Sequence, residues 1–197
     1  MTTSHRKYAA TKPADEPLLL FARALDFAAR KHVHQRRKGE SAEPYINHLA
    51  EVARLLAAAP ENRNAAVTVA GLLHDTLEDT ATTYDELAAE FGEEIASLVR
   101  EVTDDKALPK EARKKHQEEH AQHASDGAKM IKIADKTSNL HSILNSPPRG
   151  WDLKRKVEYF DWAKRVVEGC RGVSENLEAE FDLAWSQGAG QFGLPQK

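Results

Sequence analysis

The segment Gly71-Leu72-Leu73-His74-Asp75-Thr76-Leu77-Glu78-Asp79 sets four ionisable side chains directly against the most apolar stretch of the chain. Burying such groups is costly unless they pair with one another or hold a metal. His74 and Glu78 are four positions apart, as are Asp75 and Asp79, so within a helix each pair shares a face. A His beside an Asp can offer one nitrogen and one oxygen to a single divalent ion. A helix end with exposed acids would need no ion, and these residue types alone do not separate the two readings. Two other segments shift the balance. Asp135 lies among Ile131, Ile133 and Ala134, with Asn139 one turn later on the same helical face. His48 interrupts another apolar surface, in Tyr45-Ile46-Asn47-His48-Leu49. A lone His on such a face is ordinarily a hydrogen-bonded core residue, but three anomalies in one chain are harder to dismiss. His48, His74, Asp75 and Asp135 form a set of two imidazoles and two carboxylates, a donor mixture suited to Mn²⁺, Fe²⁺ or Zn²⁺.

The elements that must position these groups read as helices. Asp15 before Pro17 is a start signal, and Leu20, Phe21, Ala24, Leu25, Phe27 and Ala28 recur at helical spacing to about Arg37. Lys38–Pro44 reads as a loop. A second helix is predicted over Tyr45–Ala59 and a third over Asn64–Glu78, its middle apolar on every side and therefore buried. Thr83 with Glu86 fits a capping box opening a helix to Phe91, closed by Gly92. Further helices are predicted over Glu93–Val102, Lys110–His120, Ala128–Leu144, Asp152–Glu168 and Ser174–Ser186. No segment alternates like a strand and nothing repeats. The expectation is an all-α, single-domain fold of about eight to ten helices over residues 15–187. Residues 1–14 and 188–197 are expected to be flexible tails.

Composition bounds the rest. At 197 residues the chain is one domain's worth, able to bury a core without disulfides. Lys and Arg total 28 and Asp and Glu 31, a balance that argues against a general polyanion binder. No apolar run approaches the roughly 20 residues needed to span a bilayer, and the first residues lack a secretory core. The single cysteine, Cys170, excludes an internal disulfide and has no evident activating base. The expectation is a cytoplasmic protein that binds neither nucleic acid nor membrane and acts as a monomer or homodimer.

The ordered motifs carry a resemblance. His48, then His74-Asp75, then Asp135 resemble the HD-domain metal-dependent phosphohydrolases. Arg37-Lys38-Gly39, Glu43-Pro44-Tyr45-Ile46-Asn47-His48 and Leu72-Leu73-His74-Asp75-Thr76 with Glu78-Asp79-Thr80 are similar to the hydrolase half of the RelA/SpoT proteins. Thr103-Asp104-Asp105-Lys106 with Leu108-Pro109-Lys110, and Gly150-Trp151 with Glu158-Tyr159-Phe160, resemble the stand-alone small alarmone hydrolases. The likeness covers roughly residues 20–183. It implies that His48, His74, Asp75 and Asp135 hold one Mn²⁺ per chain, other divalent ions being admissible. It implies that Glu78 and Asp79 are the catalytic acidic pair, and that the activity removes the 3′-pyrophosphate from ppGpp and pppGpp. Arg37, Lys38, Tyr45 and Asn139 fall on nucleotide-binding positions. Arg155 and Tyr159 fall near the far phosphate or ribose.

The chain departs from the family pattern in places. Lys136 stands where Arg is common, His141 stands where Arg often follows Asn-Leu, and the Lys38–Glu43 loop is longer than in the bifunctional enzymes. At 197 residues, the expectation is hydrolysis only, without alarmone synthesis. His116-Gln117-Glu118-Glu119-His120 matches a zinc-peptidase pattern, but its helix has no apolar face and its flanks, Lys114-Lys115 among them, look solvent-facing. Three functions compete: the guanosine hydrolase, the same scaffold acting on ppApp or the 2′-phosphate of NADPH, and a non-catalytic nucleotide sensor.

Overall fold

Ala65–Leu73 carries no charge, so a helix made from it can leave water only by being surrounded. The computed structural model, which describes residues 16–193, surrounds it. This helix, α3, packs against α1 (Pro17–Lys31), α2 (Ile46–Ala58), α6 (Glu93–Val102) and α8 (Asp126–Asn145). The remaining helices are α4 (Thr76–Asp79), α5 (Tyr84–Phe91), α7 (Lys110–His120), α9 (Leu153–Glu168) and α10 (Glu175–Phe192). A 3₁₀ turn, Ala121–His123, joins α7 to α8. The fold is all-α. Among the described residues, extended pairing is limited to the isolated bridges Arg36–Pro44 and Gly39–Pro148. The core is one continuous cluster including Leu49, Leu56, Leu72, Leu73, Ile131, Ile133, Phe160 and Phe181. The 20-residue α8 runs through it, touching α2, α3, α6, α9 and α10.

Helix starts follow local chemistry. The side chains of Asn64, Thr83, Ser125, Asp152 and Ser174 each accept a backbone N–H of the helix they open. Gly92 ends α5 at φ 90°, where a side chain would be strained.

Four expectations are corrected. Helix α1 stops at Lys31 rather than Arg37, because the chain turns back on itself: Tyr45 N–H donates to the Gln35 carbonyl at 3.1 Å and Arg37 N–H to that of Glu43 at 2.9 Å. The expected helix Asn64–Glu78 is broken at His74-Asp75, where the Thr76 hydroxyl donates to the Leu73 carbonyl at 2.6 Å. Helix α10 continues through Phe192, so 188–192 are packed helix rather than a frayed tail. Gly188 there meets the Phe160 ring, and Ala189 is buried. Helix α7 is not free in solvent. Trp162 Nε1–H donates to the Lys114 carbonyl at 3.2 Å, and Arg165 pairs with Glu118 at 2.9 Å. The expected tail 1–14 and residues 194–197 lie outside the described residues.

Candidate metal and nucleotide site

Each residue of the two-His, two-Asp set comes from a different structural reason. His48 sits in the first turn of α2 and is buried among core side chains. The helix break delivers His74 and Asp75 at the end of α3. Asp135 lies mid-way along α8. Nε2 of His48 is 3.3 Å from Oδ1 of Asp135 and 3.8 Å from Oδ2 of Asp75. Nε2 of His74 is 3.1 Å from Asp75 Oδ2 and 3.7 Å from Asp135 Oδ1. Donor atoms of His48, His74 and Asp135 lie within 4.8 Å of one another, and among the described residues no other cluster of three such groups forms. Asp75 stands beside that trio, its Oδ2 also accepting the Tyr45 hydroxyl at 2.6 Å.

Outer hydrogen bonds orient the donors. His74 Nδ1–H donates to the Gly71 carbonyl at 2.8 Å, so its Nε2 is the free nitrogen, buried and without a partner. Asn139 donates to Asp135 Oδ1 at 2.6 Å, and Lys136 Nζ lies 2.8 Å from Oδ2. A buried unpartnered imidazole nitrogen beside two carboxylates fits a divalent metal ion.

Burial works to lower the His74 imidazole pKa, but the facing Asp75 and Asp135 carboxylates outweigh it and hold it raised. Burial pushes the His48 imidazole down, disfavouring its charged form. Burial works against both carboxylates, but the facing His74 holds Asp75 low, and Lys136 does the same for Asp135. Burial pushes Glu78 up, and the neighbouring Asp75 adds to it. Burial also raises Tyr159, to about 12.

A cavity of about 730 Å³ opens beside this centre. All six expected nucleotide-binding residues line it: Arg37, Lys38, Tyr45, Asn139, Arg155 and Tyr159. So do Glu78 and Asp79. Arg37 donates to Asn139 Oδ1 at 2.9 Å and sits 5.7 Å above the Tyr45 ring. Glu78 also lines a second cavity of about 50 Å³ shared with His74, Asp75 and Asp135, which Asp79 does not. Glu78 accepts the Asp104 N–H at 3.3 Å, while Asp79 accepts from Gln35 at 2.8 Å and from Lys106.

Some lining residues were not singled out from sequence. Lys110, Arg113 and Lys114 of α7 face the cavity, correcting the solvent-facing reading of Lys114. Trp151 and Trp162 flank the expected Tyr159 in an aromatic row, with ring centroids 5.7 and 5.3 Å apart. Their signal was present: Arg155, Tyr159 and Trp162 follow at i, i+4 and i+7 on one helix face. His32 is buried and stacks on Tyr45 at 5.3 Å. The zinc-peptidase pattern is not assembled: His116 and His120 stack at 4.0 Å on the exposed side of α7, and among the described residues no third ligand joins them. Cys170 is a free thiol buried in the core.

A family profile described as the HD domain matches residues 24–159. The chain belongs to the HD-domain family. Within the family, this HD domain is 51% identical over 164 residues to the human protein named guanosine-3′,5′-bis(diphosphate) 3′-pyrophosphohydrolase MESH1, covering 83% of this chain and 92% of that one. The Xenopus tropicalis protein of the same name is 48% identical over 163 residues, 83% of this chain and 91% of its own. A solved structure described as a metazoan ortholog of SpoT that hydrolyses ppGpp superposes with a TM-score of 0.82 at 42% identity, covering 90% of this chain and 98% of that one. Among the described residues, no helix of the HD domain is long and apolar enough to cross a membrane.

Proposed function

We propose that this HD domain removes the 3′-pyrophosphate of guanosine 3′,5′-bis(diphosphate) and its 5′-triphosphate form, giving GDP or GTP and pyrophosphate, with Mn²⁺ as its ion. The observation that carries the reading is the juxtaposition of the His48–His74–Asp135 cluster, the Glu78–Asp79 pair and a cation-lined cavity large enough for a nucleotide. The names borne by the human and frog relatives support it. His48, His74, Asp75 and Asp135 would hold the ion, which supplies Lewis acidity toward water and the phosphoryl oxygens.

The protein's own groups do the rest. Glu78 reaches the small cavity beside the cluster and takes the proton of the attacking water as the new O–P bond forms. The bond from phosphorus to the 3′ oxygen breaks, and that oxygen leaves with the electron pair and regains a proton from water. Asp79 is held by Gln35 and Lys106, so its role is to position those two donors at the cavity wall. Arg37, Lys38 and Arg155 offset the phosphate charges, and the planar Arg37 also offers a face to a base. Tyr45, Asn139 and Tyr159 shape the nucleotide pocket.

The test is product analysis of the purified protein with Mn²⁺ and, in parallel, ppGpp, ppApp and NADPH, each with a chelator control. GDP and pyrophosphate from ppGpp, abolished by chelator, are the expected result. Turnover of ppApp or NADPH alone would overturn the guanosine assignment while keeping the chemistry. Binding of ppGpp without turnover of any of the three would make the protein a sensor.

A further inference from the structure

The two candidate imidazole ligands are oriented by different devices. His74 uses a backbone carbonyl, which no substitution of Gly71's side chain position removes directly. His48 uses a chain of side chains reaching the surface. Its Nδ1 lies 2.9 Å from Ser138 Oγ, the Ser138 hydroxyl donates to Glu51 Oε2 at 2.6 Å, and His141 Nδ1 lies 2.8 Å from Glu51 Oε1. Glu51 stands one turn after His48 on α2, and His141 one turn after Ser138 on α8, so the packing of these two helices assembles the chain. Ser138 is buried, while the side chains of Glu51 and His141 are about a third exposed, at 30% and 27%.

A serine has one hydroxyl proton. Ser138 gives it to Glu51, a carboxylate that can only accept, so toward His48 Ser138 can only accept as well. The hydrogen between them must therefore sit on His48 Nδ1. That leaves His48 Nε2 with its lone pair, facing Asp135 Oδ1 at 3.3 Å. We propose that Ser138, Glu51 and His141 form a positioning relay that locks His48 in its Nδ1–H tautomer with Nε2 turned to the metal cluster. The proposal rests on the metal reading above and adds to it which residues preset the ligand. His141 is the position noted as a departure from the family pattern. Here it anchors the outer carboxylate oxygen, leaving the inner one for Ser138.

Removing a group at either end has a defined consequence. Ser138→Ala strips the acceptor from a buried N–H, so the ring can turn or shift its proton. Glu51→Ala frees the Ser138 hydroxyl to donate to His48 Nδ1, which drives the hydrogen onto Nε2 and blocks that donor. Ser138→Thr keeps the hydroxyl. Outer partners of this kind are worth roughly 10–100-fold in metal affinity.

The test has two readouts that do not depend on turnover. The first is imidazole ¹⁵N NMR of the metal-free wild type, in which His48 is expected as the Nδ1–H tautomer. Finding the Nε2–H tautomer there overturns the relay whatever any variant does. The second is Mn²⁺ titration calorimetry of wild type, Ser138→Ala, Glu51→Ala and Ser138→Thr, with urea unfolding run beside it to confirm that each is folded. Weakening by about tenfold or more in the two alanine variants, with recovery in Ser138→Thr, is expected. Alanine variants that bind Mn²⁺ as wild type does overturn the relay alone. A wild type that binds no divalent ion overturns the metal reading and the relay together.

Discussion

Lys136 Nζ sits 2.8 Å from Oδ2 of Asp135, its immediate neighbour on α8, and both side chains are withdrawn from water. The ammonium also lies 4.7 Å from the centre of the Trp162 ring. Burial works to lower the Lys136 pKa, but the Asp135 carboxylate outweighs it and keeps the lysine charged. One oxygen of Asp135 is thus neutralised by the protein, and the other faces the two histidines.

Breaking that pair should cost stability. Lys136→Met leaves a buried carboxylate without its cation, and removal of one partner of a buried pair costs about 3–5 kcal/mol. Urea unfolding of the metal-free protein should show a loss of that order. Saturating divalent ion should narrow the loss, because a carboxylate freed of its lysine binds the ion more tightly than in the wild type, each tenfold in Kd being about 1.4 kcal/mol. Equal losses with and without the ion would separate Asp135 from the metal site.

Glu78 sets a pH dependence. Burial, and then Asp75, raise its pKa above the ordinary glutamate value. A general base works only when ionised, so activity should fall as pH drops through that raised pKa, at a higher pH than for an unperturbed glutamate. Glu78→Gln should lose about 10²–10⁴-fold in kcat and lose this acid limb. A pH–rate profile of both proteins checks the sign. An unchanged limb in the variant assigns it to another group.

Arg37 couples the nucleotide cavity to the cluster. It donates to Asn139 Oδ1, and Asn139 in turn donates to Asp135. Hydrogen bonds to charged groups are worth about 1.5–3 kcal/mol, so Arg37→Ala should lower kcat/KM by about ten- to a hundredfold. Steady-state kinetics with ppGpp measures it. A change confined to kcat would mean that Arg37 acts on the reacting phosphate rather than on binding.

Gly188 offers a contrast far from the chemistry. A Cβ there would meet the buried Phe160 ring head-on. Overpacking of a tight core costs about 1–3 kcal/mol, so Gly188→Ala should lower the unfolding midpoint while leaving kcat of the folded protein unchanged. Thermal melts paired with initial rates decide it.

Much of the molecule was legible in the sequence because its signals are local. Helical periodicity, the cap at Thr83 and the uncharged Ala65–Leu73 run reflect near-neighbour backbone chemistry, and the structure keeps them. Buried-looking His48, His74 and Asp135 stood out because a polar group on an apolar face is expensive. Their mutual distances were not legible, since three helices far apart in the chain must pack before the Nε2 atoms meet Asp135. Three features were decided only by tertiary packing. The break at His74-Asp75 interrupts a helix that propensity alone would continue. Helix α7 looks fully solvated until Trp162 supplies a donor to the Lys114 carbonyl, and then its lysines line the cavity. Residues 188–192, composed like a loose end, stay helical because Gly188 lets α10 lie against Phe160. Sequence thus determined the elements and the donor types, which depend on neighbours a few residues away. Only the tertiary structure decided which of those donors share one centre, because that is set by contacts across the whole chain.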